Sequence, residues 1–109
     1  MTPYVTFFGD AEYTFKLTPA LIDELEKKCG AGLGTIGARV FAKHFTQADL
    51  TETIRLALIG GGTEPKRARE LVAAYATDRP ITETYPLAAK ILERLWIGAP
   101  HETEMEVRK

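Results

Sequence analysis

Residues Arg55-Leu56-Ala57-Leu58-Ile59-Gly60-Gly61-Gly62 constrain this chain more than any other stretch. They end a helix predicted to begin at Thr46, in which Leu50, Ile54, Ala57 and Leu58 recur at i, i+4, i+7 and i+8. Leu56 and Ile59 fall off that face, so the last turn is apolar nearly all round. A helix of this kind is enclosed on more than one side. Three glycines then stop it, because glycine readily takes the left-handed conformation that a helix C-terminus favours. The pattern predicts a central helix with the other elements packed around it. Its chemistry is bare, without a nucleophile or a metal ligand.

Composition bounds what can surround that helix. A chain of 109 residues supports one domain with a modest core, here residues 1–99, leaving a polar tail at 100–109. With 14 Lys+Arg against 15 Asp+Glu the net charge is −1, which excludes a broad nucleic-acid surface but not a local patch. The one cysteine, Cys29, cannot form an internal disulfide and fits a reducing compartment. No apolar run approaches the ~20 residues of a membrane span. The opening Met1-Thr2-Pro3-Tyr4 lacks the pattern of a signal peptide. The expectation is a soluble cytoplasmic protein without a membrane partner.

Tyr4 to Leu17 reads as a β-hairpin. A two-residue loop mixes polar and apolar side chains on both faces of the ribbon. A three-residue loop, Gly9-Asp10-Ala11, gathers Val5, Phe7, Tyr13, Phe15 and Leu17 on one face, so sidedness favours it. That register leaves Phe8 on the polar face as an exposed aromatic. An isolated ribbon also has two edges able to recruit strands from a partner.

Thr18-Pro19 opens a first helix as cap and first residue. Leu21, Ile22 and Leu25 form its apolar stripe, Asp23, Glu24, Glu26, Lys27 and Lys28 its solvated face, and Cys29-Gly30 its end. A glycine-rich turn leads to a second helix marked by Leu33, Ile36, Val40 and Phe41, ending near His44. Thr46 with Asp49 forms a capping box, and Phe45 with Leu50 a hydrophobic staple, at the start of the central helix. After Gly62, Thr63 caps a fourth helix whose buried stripe is Ala68, Leu71, Val72 and Tyr75. Asp78-Arg79-Pro80 turns the chain into a last helix over 81–97, with Pro86 in its first turn or at a kink. Leu87, Ile91, Leu92, Leu95 and Trp96 line it, and Gly98 and Pro100 stop it. His101 to Lys109 reads as a disordered tail. The predicted fold class is α+β, an N-terminal hairpin packed on a bundle of four or five short helices.

Each motif that could carry chemistry has a plainer explanation. Gly32-Leu33-Gly34-Thr35-Ile36-Gly37 matches G-x-G-x-x-G, but a helix precedes it and no βαβ unit is present, so it reads as a tight helix–helix turn and not a cofactor site. Gly60-Gly61-Gly62-Thr63 lacks the P-loop spacing and reads as a joint between helices. Cys29 stands far from His44 and His101, so it reads as a small buried hydrophobe. No cluster of residues has metal-ligand spacing. Lys66, Arg67 and Arg69 suggest a helix-turn-helix, yet Glu64 and Glu70 flank them. No catalytic, cofactor or metal residue is assigned, and an interaction module is favoured over an enzyme.

Four segments in order are distinctive: Gly9-Asp10-Ala11-Glu12-Tyr13-Thr14-Phe15-Lys16-Leu17, Leu25-Glu26-Lys27-Lys28-Cys29-Gly30-Ala31-Gly32, Ile54 through Gly62, and Asp78-Arg79-Pro80. Together they resemble, over about residues 5 to 98, the small tail proteins of gene transfer agents and siphophage-like prophages, which are classed with phage tail assembly chaperones. The resemblance implies a non-enzymatic protein that holds the tape-measure protein, and the major tail (tube) protein, during tail morphogenesis. The same family is also described as a tail tube protein, and a structural tail subunit is the alternative; a small nucleic-acid binder is a lesser one. One hairpin followed by helices does not make the sheet that closes a tube ring, which favours the chaperone. Candidate contact residues are Phe8 and Trp96, aromatic groups without a core position. Self-association stays open.

Overall fold

The computed structural model describes residues 1–98, so the tail read at 100–109 lies outside the described residues. Two strands, β1 (Tyr4–Phe8) and β2 (Ala11–Phe15), form an antiparallel hairpin. Five α-helices follow: α1 (Pro19–Cys29), α2 (Leu33–Phe41), α3 (Gln47–Gly60), α4 (Pro65–Val72) and α5 (Ile81–Ile97). The fold is α+β, as the sequence predicts.

Local chemistry sets most of the helix boundaries. The Thr18 hydroxyl accepts from the Leu21 N–H at 3.3 Å, and Gly30, at φ +67°, ends α1. At α3 the capping box is present: the Asp49 N–H donates to Thr46 Oγ1 at 3.1 Å and the Thr46 N–H to Asp49 Oδ2 at 2.9 Å. The triple glycine closes α3 in a Schellman motif. Thr63 N–H reaches back to Leu58 O at 2.9 Å and Gly62 N–H to Ile59 O at 3.0 Å, with Gly62 at φ +110°.

Several details depart from the sequence reading. Glu26 is half-buried, and its carboxylate accepts the Leu33 N–H at 2.7 Å, so it caps α2 across the intervening turn. Helix α2 ends at Phe41, before His44, and Lys43 takes a left-handed φ of +63° in the turn. The residue capping α4 is Glu64 and not Thr63, whose N–H is committed to Leu58. Pro86 lies inside a continuous α5. After α4, residues Ala73–Thr77 form a π-helical turn. The widened turn places Ala76 in the core and leaves Tyr75 exposed, where an uninterrupted α-helix keeps Tyr75 on the buried stripe.

The hairpin register also differs. Phe8 pairs with Ala11, Phe7 with Glu12 and Val5 with Thr14, so the loop is the two-residue Gly9-Asp10. Gly9, at φ +69°, supplies the left-handed first position of a type II′ turn, and Ala11 stays in the strand. This turn is available without forcing alanine into a left-handed conformation. The consequence is a swap of faces. Phe8 is buried, with 8% exposure, and Phe7 is the aromatic that projects outward, at 66%. Phe8 as an exposed residue is therefore corrected.

Buried side chains form one cluster drawn from every helix and the hairpin. Leu50, Ile54, Leu56, Ala57 and Leu58 of α3 all lie in it, consistent with a helix enclosed on more than one side. The C-terminus of α3 covers the outer edge of β2 at its C-terminal end. The Lys16 N–H donates to Ala57 O at 2.9 Å, and a Cβ at Gly60 or Gly61 would collide with the carbonyl oxygens of Lys16 and Thr14. Two glycines at this crossing let a helix approach a strand edge to backbone contact.

Candidate interaction surface

Buried polar chemistry is concentrated where α1, α2 and α3 meet, and it is structural. Asp49 is fully buried and accepts from Arg39 Nε at 2.9 Å and Nη2 at 2.6 Å. Arg39 Nη2 also reaches Cys29 O at 3.4 Å, so one guanidinium ties three helices. Burial alone would raise the Asp49 pKa, but the bonds from Arg39 and Thr46 outweigh it and hold the carboxyl below its usual range. Burial, with the Asp49 charge nearby, pushes the Cys29 thiol up to about 12. Cys29 is thus a neutral thiol, its Sγ 3.7 Å from Ala48 O, and not an activated nucleophile.

The remaining motifs resolve as packing. Gly61, Gly62 and Thr63 spend their N–H groups on Ala57, Ile59 and Leu58 carbonyls, leaving no free anion nest. Arg67 of α4 donates to Asp10 at 2.6 Å and lies 3.8 Å from Glu70, so it braces the hairpin tip. Among the described residues, no group of three or more His, Cys, Asp or Glu could hold a metal ion.

Exposed aromatic residues line two concave surfaces. The first is a groove of 440 Å³ between the hairpin and α5. Phe7, Phe8 and Gly9 form one wall, Glu83 and Leu87 of α5 the other, and Tyr75 closes one end. Tyr75 packs edge-on against Phe8, with ring centroids 6.2 Å apart, and its ring occupies the space a Cβ on Gly9 would need. At the other end of β1 the Arg94 guanidinium sits 4.7 Å over the Tyr4 ring, fixing α5 alongside the strand. The second place is a shelf where Trp96 faces Phe41 across Gly34, Gly37 and Ala38. Trp96 is 64% exposed, so it stands outside the apolar stripe of α5 in which the helical period placed it.

The structure does not bring Phe8 and Trp96 into one site. Phe8 belongs to the core beneath the groove, and Trp96 to the shelf. Val5, Phe7, Tyr75 and Phe41, all exposed, escaped the sequence reading. For Phe7 a signal was present: Gly9 is better suited than Ala11 to a left-handed position, and that choice sets the register.

No helix of the described residues is long and apolar enough to cross a membrane. Comparison with curated proteins gave no match, and comparison with solved structures gave none. One protein family matches, described as "Phage tail tube protein, GTA-gp10", over residues 3–98. That span covers both strands and every helix, including the groove and the shelf. The chain belongs to this family of phage and gene transfer agent tail proteins.

Proposed function

We propose that this protein is a non-enzymatic tail assembly chaperone of a prophage or gene transfer agent. It holds the tape-measure protein, the tube protein or both in the host cytoplasm until the tail polymerises. The observation that carries this reading is the size of the sheet. A tube subunit closes a ring through continuous sheet, whereas the described residues hold one two-stranded ribbon and otherwise helices. Exposed Phe7 and Trp96 on separate surfaces suit a protein that works by contact with other chains. Trp96 and its shelf are kept as a contact surface; Phe7 takes the place first given to Phe8.

Co-expression of the tagged protein with the tape-measure protein from the same gene cluster tests the reading. The expected result is a soluble complex that survives purification, with the free protein staying small under the electron microscope. Rings or tubes formed by the purified protein would overturn it in favour of a structural subunit. Salt-dependent retention of DNA without capture of a tail protein would favour a nucleic-acid binder.

A further inference from the structure

The two edges of the hairpin are not equivalent. With Phe8 and Ala11 closing a two-residue loop, Tyr4, Thr6 and Phe8 exchange hydrogen bonds with β2, and Val5 and Phe7 turn their N–H and C=O groups away from it. On β2 the corresponding outward groups are those of Thr14 and Glu12: the Thr14 carbonyl, with the Lys16 N–H just past the strand, lies against the end of α3, and only Glu12, near the turn, is left uncovered. On β1 nothing equivalent occurs: no backbone hydrogen bond outside the hairpin involves Tyr4–Phe8 among the described residues. Strand β1 also carries none of the usual protections of a free edge. Its sequence, Tyr-Val-Thr-Phe-Phe, has no charge, no proline and no bulge.

The groove runs beside this open edge. Its lining includes Phe7, whose main-chain N–H and C=O face outward, together with Phe8, Tyr75 and Leu87, and Val5 continues the same edge beyond it. The charged residues at its rim, Arg79 and Glu83, satisfy each other through bonds of 3.1 Å, so they demand no counter-charge. We propose that the β1–α5 groove binds a single extended, uncharged segment of a partner polypeptide, which adds to β1 as a third strand. The outward groups of Val5 and Phe7 hold its backbone, and alternate apolar side chains fill the groove against Leu87 and Tyr75. Pairing with β1 of a second copy is the competing outcome that the test below separates. This names the surface used in the interaction proposed above and rests on that reading only for the identity of the natural partner.

Proline tests the edge selectively. The Val5 N–H takes no part in pairing with β2, so Val5→Pro removes an outward donor and leaves the ladder intact. A library of 12-residue peptides displayed on phage is panned on the immobilised full-length protein, and enriched peptides are synthesised. Peptides with alternating apolar residues are expected to bind, to lose at least 10-fold in affinity for Val5→Pro, and to slow amide exchange at Val5 and Phe7 in the wild type. The exchange measurement decides the matter if the proline variant fails to fold. No enrichment, or binding that leaves the Val5 and Phe7 amides unchanged, overturns the groove. A wild-type dimer that becomes a monomer on Val5→Pro also overturns it, in favour of self-pairing. If Val5→Pro folds and captures full-length tape-measure protein as well as wild type does, the groove fails and the chaperone reading stands. If peptides bind at β1 and tape-measure protein is not captured, the groove stands and the chaperone reading fails.

Discussion

Arg39 grips Asp49 with two donors, Nε at 2.9 Å and Nη2 at 2.6 Å, from a side chain 27% exposed onto one that is fully buried. The asymmetry sets the cost of breaking the pair. Asp49 deprived of Arg39 stays buried and charged, whereas Arg39 deprived of Asp49 can turn to water. Arg39→Ala is therefore expected to destabilise the fold by about 3 kcal/mol and Asp49→Asn by about 2 kcal/mol, the latter including a weakened cap. Urea unfolding monitored by circular dichroism measures both.

The same pair makes stability depend on acid. Asp49 titrates lower in the folded protein than in the unfolded chain, where a carboxyl sits near pH 4. Its contribution is thus complete above that value and is lost as pH falls through the lower folded value. Thermal melts from pH 6 down to pH 2 are expected to show a steep loss of stability below pH 4. That slope should be shallower in Asp49→Asn, and an equal slope would remove Asp49 as its source.

At the α3–β2 crossing, Gly61→Ala would drive a methyl group into the Thr14 carbonyl, a backbone atom that cannot swing away. A loss of about 3 kcal/mol is expected, the upper range of overpacking. Gly62→Ala meets open space and suffers only its positive φ of +110°, for about 1 kcal/mol. Comparing the urea midpoints of the two variants separates contact from conformation.

The exchanged faces of the hairpin predict opposite outcomes for adjacent phenylalanines. Phe8→Ala should cost about 3 to 4 kcal/mol, because its ring packs edge-on with Phe15, centroids 6.1 Å apart, and with Tyr75. Phe7→Ala should change stability by less than about 0.5 kcal/mol, as exposed positions do. Equal losses at the two sites would restore the three-residue loop.

Legibility in the sequence followed the range of the interaction. The Thr18-Pro19 start, the Thr46/Asp49 capping box and the glycine stop after Ile59 are chemistry between near neighbours, and the sequence displays them directly. The hairpin register depended on what the ribbon packs against, and a ribbon judged by its own sidedness chose the other loop. Tyr75 followed the helical period until a π-turn broke it, and no residue type announces such a turn. Arg39 and Asp49 lie ten residues apart on different helices. Their pairing, like that of Glu26 with the start of α2, exists only once the intervening turns are built. The helical period alone puts Trp96 beside Leu92 and Leu95, and its 64% exposure depends on where the other helices end; the exposure of Phe7 depends on the hairpin register.

A ribbon with Gly60 and Gly61 against one edge, at Lys16 and Thr14, offers strand pairing chiefly through the other. A strand that joined β1 would find the far side closed at Thr14 and Lys16 by backbone, which cannot swing away as a side chain can. For a chaperone of the kind proposed, that asymmetry directs strand addition to a single edge of the hairpin.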